Sequence, residues 1–439
     1  MAKRIVVVGA GHVGLYTALR LSRKLKSREA EIIVIDPQPH MTYQPFLPEA
    51  AAGNISPRHA VVPLRRILRN KCTVITGLVT SVSAKTKTLT IQPLVGPEWE
   101  TGFDHIIVAP GSVSRTLPIP GLKENAIGFK TIGEAIYLRN QVLAQLDIAA
   151  STADLATRRR ALTFVFVGGG FAGIEALAEM ADMVDDGLRY YPELDRKDLR
   201  WVLVEASEKI LPEVGLELGA YTAVQLVERG MDVRLSTRLE SCVDGKVVLS
   251  DGDTFESDTI VWTAGVKPHP MLDSTDLPRD ERKRVTCDAY LRVIENGAPL
   301  DGVWSAGDCA RVPDLSLADT DPDATCAPNA QHAVRQATRL ADNIAAVVRG
   351  QEPKEYRHKY AGSVASLGLH KGVAYLFGFK IRGIPAWWVH RTYHMSRIPS
   401  LNRKVRVVAD WTLALFLKRE VIALGQLQAP KHEWREDSF

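Results

Sequence analysis

Cysteine is scarce in this sequence, and the spacing of the few that occur argues against two kinds of site. The five cysteines among 439 residues form no CxxC or CxxxxC pair, so neither a zinc knuckle nor a local redox dithiol is indicated. An odd number of widely spaced cysteines fits a reducing compartment. No metal site is expected. The cysteines are Cys72, Cys242, Cys287, Cys309 and Cys326.

A long hydrophobic run is also missing. No apolar stretch reaches the roughly 18 uncharged residues that a membrane-spanning helix needs. The best stretch, Val407 to Leu417, is interrupted by Asp410. With 46% hydrophobic and 24% charged residues, the composition is that of a globular protein long enough for two or three domains.

The net charge of +4 is a local property of the C-terminal region. Residues 361–409 contain no acidic residue, and aromatic residues are interleaved with the basic ones. This combination suits the headgroup layer of a membrane. The alternative is a basic surface that packs its aromatics into its own core. Nucleic-acid binding is not expected, because the neighbours are apolar. The basic residues are Lys371, Lys380, Arg382, Arg391, Arg397, Arg403, Lys404 and Arg406, and the aromatic residues are Trp387, Trp388, Tyr393, Trp411 and Phe416.

One pattern occurs twice along the chain. In the first copy, an apolar strand leads into GAGHVG and a helical stretch, and the next strand ends at Asp36. In the second copy, the same order contains GGGFAG and ends at Glu205. Strand, glycine turn, helix, strand and acid make up the βαβ unit of a doubly wound α/β fold. We therefore expect two Rossmann-like dinucleotide-binding domains.

Each glycine turn has the chemistry of a pyrophosphate site. The first glycine allows a positive φ, the second lets the backbone approach a pyrophosphate, and the third lets helix and strand pack closely. The helix start supplies free N–H groups, and the terminal carboxylate accepts hydrogen bonds from ribose hydroxyls. The residues concerned are Gly9, Gly11, Gly14 and Asp36 in the first copy, and Gly168, Gly170, Gly173 and Glu205 in the second.

Three further segments give the sequence a family resemblance. Val303 to Asp308 is similar to the late FAD motif of the two-dinucleotide-binding flavoprotein reductases. VAPGS at residues 108–112 and TAGV at residues 263–266 are similar to the two turns at which the chain of these proteins crosses between domains. The resemblance covers residues 1–345. It implies that the first glycine motif holds FAD, that the second holds the nicotinamide dinucleotide, and that Asp308 binds the ribityl chain. The other expected cofactor-binding residues of these segments are Ala109, Gly111, Gly265 and Gly307.

The second site is expected to select NADH. A carboxylate at Glu205 repels the 2′-phosphate of NADPH and accepts hydrogen bonds from an unmodified ribose. Arg200 is near in sequence, so the tolerance of NADPH stays open.

Within that group, the sequence most resembles the type II NADH dehydrogenases, which are single-subunit NADH:quinone oxidoreductases. HMTYQPFLP, which includes Pro45, is similar to their flavin-covering segment, and AQHA at residues 330–333 is similar to their quinone-side AQxA motif. The resemblance implies catalytic roles for Glu175, one turn into the second helix, and for Gln331. The place of the family's second glutamine is taken by Arg335, and Gln336 follows one residue later, so the sequence departs from the family pattern at the quinone side.

The residues support part of this assignment without the family. Asn329 is a good N-cap for a helix over Ala330–Val348, whose positive end would face the flavin and place Gln331 in its first turn. A capping or surface glutamine is the alternative, as an ordinary first-turn glutamate is for Glu175. His12 and His332 lack partners at metal-ligand spacing, so we expect packing or hydrogen-bonding roles, with His332 next to the cofactor.

The sequence as a whole therefore predicts an FAD-dependent enzyme that takes a hydride from NADH and passes two electrons to a membrane quinone. We expect peripheral attachment to the cytoplasmic side of the cell membrane, and a homodimer is possible. Sulfide:quinone chemistry is disfavoured because no cysteine lies between Cys72 and Cys242. A reductase of another acceptor, such as a ferredoxin, and an NADH-sensing flavoprotein scaffold remain alternatives. The expected domains are 1–118 and 276–350 for FAD, 119–275 for NADH, and 351–439 for the membrane.

Overall fold

A computed structural model describes residues 2–358, 362–417, 419 and 421–423. The chain divides into two compact units. The first unit comprises Met1–Tyr43, Val61–Arg115 and Val266–Tyr360, and the second comprises Gln44–Ala60, Thr116–Gly265 and Ala361–Phe439. Each unit contains one of the two expected glycine turns, and the predicted α/β class with two dinucleotide-binding folds is confirmed.

The first unit is built on an eight-stranded sheet. Its five central strands are parallel, and antiparallel strands extend it at both edges. Three of these parallel strands, Lys3–Val8, Ala30–Asp36 and His105–Val108, are rich in Ile and Val and mostly buried, as expected for parallel strands that are covered on both faces. In order across the sheet, the strands are Arg292–Glu295, Ala298–Ser305, His105–Val108, Lys3–Val8, Ala30–Asp36, Thr73–Ser83, Thr88–Pro93 and Trp99–Gly102.

Two helices of the first unit pack against each other across a long sequence separation. In His12–Lys24, Thr17 donates a hydrogen bond from Oγ1 to the carbonyl of Ala337 (3.3 Å), and Arg20 forms a two-pronged ion pair with Asp342 (2.7 and 2.8 Å). Both partners lie on the helix Ala330–Val348, whose predicted bounds are confirmed. The remaining elements of this unit are the helix Leu64–Ile67 and the strand pairs His40–Thr42 with Val61–Pro63, Ser112–Ser114 with Val266–Pro268, and Val285–Thr286 with Ala310–Arg311.

The second unit contains a five-stranded, fully parallel sheet. Its strands, in order across the sheet, are Ala126–Gly128, Thr259–Trp262, Thr163–Val167, Arg200–Val204 and Asp232–Arg234. A small antiparallel sheet of Leu239–Ser241, Lys246–Leu249 and Thr254–Glu256 belongs to the same unit. The helices that precede the C-terminal region are Leu47–Ala51, Leu122–Asn125, Ile132–Ser151, Leu155–Ala161, Phe171–Gly187 and Leu216–Glu228.

The C-terminal region forms an antiparallel sheet followed by two helices. The strands are Gly362–Ser366, Gly372–Leu376 and Phe379–Arg382, and the helices are Ile384–Arg397 and Leu401–Leu413. No helix within the described ranges combines the length and the apolar character that a membrane crossing requires.

The two largest differences between the unit boundaries and the expected domains concern residues 44–60 and the C-terminal region. Leu47 and Ala51 pack into the core of the second unit, together with Ile174 of the helix Phe171–Gly187. The segment 44–60 therefore groups with the second unit rather than with the FAD-binding part. Val373 of the C-terminal sheet belongs to the same core, so the C-terminal region is not a separate unit.

Candidate active site

The first glycine turn connects the strand Lys3–Val8 to the helix His12–Lys24. Gly9 has a φ of +88°, and a Cβ there would lie 2.4 Å from the carbonyl oxygen of Ala109. A Cβ on Gly14 would lie 1.8 Å from the carbonyl oxygen of Gly9. A Cβ on Gly11 would meet no protein atom within 4 Å. Two glycines are thus required by packing, and the third keeps a space beside the helix start open for a ligand.

Asp36 holds this turn from the end of the neighbouring strand. One carboxylate oxygen accepts a hydrogen bond from the backbone N–H of Ala10 (2.6 Å), and the other accepts one from Gln38 (2.7 Å). Burial raises the pKa of Asp36. Because each carboxylate oxygen can accept more than one hydrogen bond, this carboxylate retains capacity for ribose hydroxyls.

The second glycine turn repeats this arrangement in the second unit. Gly168 has a φ of +117°, and a Cβ on Gly173 would lie 2.0 Å from the carbonyl oxygen of Gly168. A Cβ on Gly170 would meet no protein atom within 4 Å. Gly169 donates its backbone N–H to Glu205 Oε2 (2.6 Å), just as Ala10 donates its backbone N–H to Asp36 in the first unit. The sequence repeat is therefore also a repeat of geometry.

The surroundings of Glu205 bear on the choice between NADH and NADPH. Its Oε1 accepts hydrogen bonds from the backbone N–H (2.8 Å) and hydroxyl (2.7 Å) of Ser207. Arg200, which left this choice open, pairs with Asp232 (3.4 Å) and Asp253 (3.2 Å). Its guanidinium group is thereby committed to two carboxylates rather than free to attract a 2′-phosphate.

The late motif and the two crossing turns also adopt ligand-compatible conformations. Asp308 accepts a hydrogen bond from the Ser112 hydroxyl (2.6 Å), so the late motif contacts the first crossing turn. Gly307 has a φ of +79° and donates its N–H to Gln336 Oε1 (2.7 Å). Gly111 and Gly265 have positive φ values of 73° and 84°, and a Cβ on either would meet no protein atom within 4 Å.

Gln331 lies in the first turn of the helix Ala330–Val348. Asn329 caps this helix as predicted, because its side chain accepts the N–H of His332 (2.8 Å). The side-chain oxygen of Gln331 is 2.9 Å from His358 Nε2, and its carbonyl accepts a hydrogen bond from Arg335 (3.2 Å). Arg335, at the place of the second glutamine, therefore stabilises the helix start.

The imidazole of His332 is buried, and its Nδ1 is 3.0 Å from the hydroxyl of Tyr356. Burial lowers the pKa of His332. The hydrogen-bonding role expected for this histidine is therefore filled by a tyrosine, and its role toward the cofactor stays a prediction. Pro45 lies in the short turn Gln44–Phe46 of the second unit, and its contact with flavin likewise stays a prediction.

Glu175 is buried one turn into the helix Phe171–Gly187, where it contacts the C-terminal region. Its Oε1 accepts the backbone N–H of Ser366 (2.9 Å) and lies 2.9 Å from His390 Nε2. Burial by itself would lower the pKa of His390, but the surrounding carboxylates, Glu175 foremost, raise it above its ordinary value. Glu175 thus accepts a hydrogen bond from one C-terminal element and lies next to a histidine of another, which an ordinary first-turn glutamate on the surface would not.

Two more buried carboxylates of the second unit were missed by sequence reasoning. Glu179 accepts hydrogen bonds from Asn54 (2.6 Å) and from the Ser366 hydroxyl (3.3 Å), and burial raises its pKa to about 7. Glu49 accepts a hydrogen bond from Trp411 Nε1 (2.6 Å) and pairs with the guanidinium of Arg391 (3.3 Å). Their signal was weak, since a single glutamate in a helical segment is usually a surface residue.

The basic and aromatic cluster of the C-terminal region is partly buried, so the alternative of aromatics packed into the protein's own core applies to some of its residues, and membrane contact stays a prediction for the others. Trp387 and Arg391 are buried, and the guanidinium of Arg391 lies 4.1 Å from the Trp387 ring centre. Trp411 is half-buried against Phe46, and Lys380 and Arg382 pair with Glu217. Arg397, Arg406, Trp388 and Phe416 are exposed as expected.

Comparison with known proteins identifies the family. The family model described as pyridine nucleotide-disulphide oxidoreductase matches residues 3–337. The chain belongs to this family. In this oxidoreductase all five cysteines are free thiols. The family's two-dinucleotide architecture therefore occurs here without a disulfide.

Relatives of this oxidoreductase cover nearly its full length. A probable NADH dehydrogenase of Dictyostelium discoideum is 28% identical over 95% of this chain and 91% of that protein. A type II NADH:quinone oxidoreductase of Mycobacterium tuberculosis is 28% identical over 97% of this chain and 89% of that protein. The fold matches that of NDH2 from Plasmodium falciparum, solved in complex with NADH, with a TM-score of 0.88, 18% identity and coverage of 96% and 100%. The resemblance to type II NADH dehydrogenases seen in the sequence is confirmed.

Proposed function

We propose that this protein is an FAD-dependent NADH:quinone oxidoreductase. The observation that carries the proposal is the pair of glycine turns, each built with the same close contacts and each closed by a carboxylate that binds the turn's backbone N–H. Two such turns in separate units provide for two dinucleotides. Full-length similarity to type II NADH:quinone oxidoreductases supports NADH and a quinone as the substrates.

The residues of the first unit fit FAD. The open space beside Gly11 and the N–H groups at the start of the helix His12–Lys24 provide for a pyrophosphate. Asp36 would hold the adenosine ribose, and Asp308 the ribityl chain. Bound FAD supplies the chemistry, since it accepts a hydride from NADH and returns two electrons to an acceptor.

The residues of the second unit fit NADH in the same way. Gly170 leaves space where its pyrophosphate would lie, and Glu205, which already accepts the N–H of Gly169, would accept hydrogen bonds from its ribose hydroxyls. Glu175 would position the nicotinamide or relay a proton, and the N–H of Ser366 orients its carboxylate beside His390. Gln331 lies beside His358 in the first unit and would contact the flavin or the quinone.

A side-by-side assay tests the acceptor. The purified protein should be yellow, should release FAD rather than FMN on denaturation, and should oxidise NADH rapidly with a soluble quinone. Fast turnover with a ferredoxin and none with quinones would indicate that the acceptor is a ferredoxin and would contradict the quinone assignment. Flavin reduction without turnover on any acceptor would indicate a sensing scaffold. A colourless protein that cannot be reconstituted with FAD would refute the proposal as a whole.

We further propose that the helix Leu401–Leu413 rests on the cytoplasmic surface of the membrane. Asp410 accepts a hydrogen bond from the backbone N–H of Ser56 (3.0 Å), and this fixes one side of the helix to the second unit. Leu401, Val405 and Val408 occupy i, i+4 and i+7 and are 76%, 61% and 43% exposed. Such an exposed apolar stripe on an anchored helix, with basic residues on the same helix, suits the lipid interface.

Vesicle co-sedimentation tests this membrane surface. The double variant Val405→Ser/Val408→Ser should bind both neutral and anionic vesicles less than the wild type. The matched control is Val224→Ser/Val227→Ser, which changes two exposed valines on another helix of the same unit. Equal binding by both double variants and the wild type would contradict the proposal.

Charge contributes separately at this surface. Neutralising the exposed Arg397 and Arg406 removes on the order of 1 kcal/mol each at an anionic surface, which is a loss of roughly 30-fold. High salt should have the same effect on the wild type.

A further inference from the structure

Three side chains of metal-ligand type meet in the first unit, beside the start of the helix Ala330–Val348. Asp314, Cys326 and His332 each offer a ligand atom, and these atoms all lie within 4.8 Å of one another. Cys326 and His332 are buried, and Asp314 is partly exposed. Sulfur, imidazole nitrogen and carboxylate oxygen are the three ligand types that Zn²⁺ takes from proteins.

Backbone hydrogen bonds bring the three residues together. Asp314 and Cys326 stand at the two ends of a loop, and their backbone N–H groups donate to the carbonyls of Ala324 (2.9 Å) and Val312 (2.9 Å). The cap residue Asn329 binds the N–H of His332 (2.8 Å) and so fixes the helix start from which its imidazole projects. The spacing matches no sequence motif for zinc, because a loop and a helix start are needed to bring the ligands together.

Two ligands already have supporting hydrogen bonds of the kind that accompany metal sites. The Nδ1 of His332 is 3.0 Å from the Tyr356 hydroxyl, which helps to orient the imidazole. One oxygen of Asp314, Oδ1, accepts hydrogen bonds from the N–H (3.0 Å) and hydroxyl (2.6 Å) of Ser316. Neither of these hydrogen bonds involves the other carboxylate oxygen of Asp314, Oδ2. Second contacts of this sort orient ligands in metal proteins.

We propose that Asp314, Cys326 and His332 bind a divalent transition-metal ion of the Zn²⁺ type, with solvent as the fourth ligand. On binding, the thiol of Cys326 releases its proton to the buffer and the sulfur becomes a thiolate ligand. The thiolate and the carboxylate then balance the two charges of the ion. Tetrahedral coordination at about 2.0–2.3 Å sets ligand atoms roughly 3.5 Å apart, so the ligands must close by about 1 Å. Binding therefore requires a local adjustment of the loop, which is largely exposed between residues 315 and 323.

The bound ion would fix this loop to the start of the helix that carries Gln331. Contacts within the protein already connect the proposed metal site to Gln331. His358 lies 2.9 Å from the side chain of Gln331, and its ring centre is 5.8 Å from that of His332. The metal proposal does not depend on the identity of the electron acceptor.

Metal binding to the flavin-containing protein tests the proposal directly. The protein is treated with a chelator, dialysed and titrated with Zn²⁺ alone. We expect about one Zn²⁺ per chain, with release of close to one proton at neutral pH. Co²⁺ should give absorption bands in the red, where oxidised flavin does not absorb. Cys326→Ser should weaken binding at least tenfold and abolish the proton release, and Asp314→Asn should also weaken binding.

The matched control is Cys72→Ser, which removes a partly exposed free thiol outside this group and should bind Zn²⁺ as the wild type does. Flavin content, measured on every variant, separates loss of the site from loss of the fold. Binding of Zn²⁺ by Cys326→Ser with wild-type affinity at wild-type flavin content would overturn the proposal. A wild type without stoichiometric binding would overturn it too.

Discussion

Replacing Glu205 by Gln should change the nicotinamide selectivity of this enzyme while leaving its fold intact. The carboxylate accepts hydrogen bonds from the backbone N–H groups of Gly169 (2.6 Å) and Ser207 (2.8 Å). Gln keeps nearly the same volume and one oxygen acceptor, which can serve the N–H of Gly169, whereas the exposed Ser207 loses its acceptor. The change therefore removes the negative charge next to the ribose together with one of the two oxygen acceptors.

The expected magnitude follows from that charge. Hydrogen bonds to a charged acceptor contribute about 1 kcal/mol more than those to a neutral one, so loss of the charge toward two ribose hydroxyls costs roughly 1–2 kcal/mol. That is a rise of about 5- to 30-fold in KM for NADH. For NADPH, two negative charges about 4 Å apart repel each other by about 4 kcal/mol at an effective dielectric constant near 20, and Glu205→Gln removes this repulsion. The ratio of kcat/KM for NADPH to that for NADH should therefore rise by at least about tenfold.

Steady-state kinetics with both nucleotides and a saturating soluble quinone measure this ratio. The matched control is Glu208→Gln, which removes the same charge from an exposed position in the same loop and should leave the ratio unchanged. An unchanged ratio in Glu205→Gln, or a wild type that already prefers NADPH, would refute the assignment of Glu205 to the ribose.

Three further predictions test other parts of the site. Gly11→Ala should fold but lose affinity for FAD, because its Cβ enters only the space left for the ligand, whereas Gly14→Ala should lose both fold and flavin, as circular dichroism and flavin absorbance will show. Glu175→Gln should slow reduction of the flavin by NADH, and Gln331→Ala should slow reoxidation of the flavin by quinone. Stopped-flow absorbance measures the two steps separately. If each variant slows both steps equally, the assignment of the two residues to different steps is wrong. The pKa of His390 is raised in the folded protein, so the stabilisation by its positive charge is complete below about pH 6.5 and is lost as the pH rises through the raised pKa. The thermal midpoint of the wild type should therefore fall over this pH range, and that of His390→Gln should fall less steeply.

Much of the fold was predictable because its signals are local. The strand Lys3–Val8 and the glycine turn after it lie within a dozen residues, and their hydrophobic run and glycine spacing fix the conformation with little help from the rest of the chain. The helix Ala330–Val348 was predicted to its ends because Asn329 caps it with its own side chain. The acids Asp36 and Glu205 were found because each follows a strand that pairs with the strand before its turn.

The C-terminal region could not be predicted in the same way, because its burial depends on partners far away in the sequence. Trp387 and Trp388 are adjacent and chemically identical, yet one is buried and the other is 52% exposed. The difference arises because Trp387 lies beneath Arg391, whose charge is in turn held by Glu49. The composition of the segment shows that it is basic and aromatic. It does not predict which of its basic side chains form ion pairs with carboxylates elsewhere in the second unit. An unpaired charge would be costly to bury, so a buried Arg391 requires a buried Glu49. The charges free to meet a membrane are therefore those left after such internal pairs have formed, and only the tertiary structure identifies them.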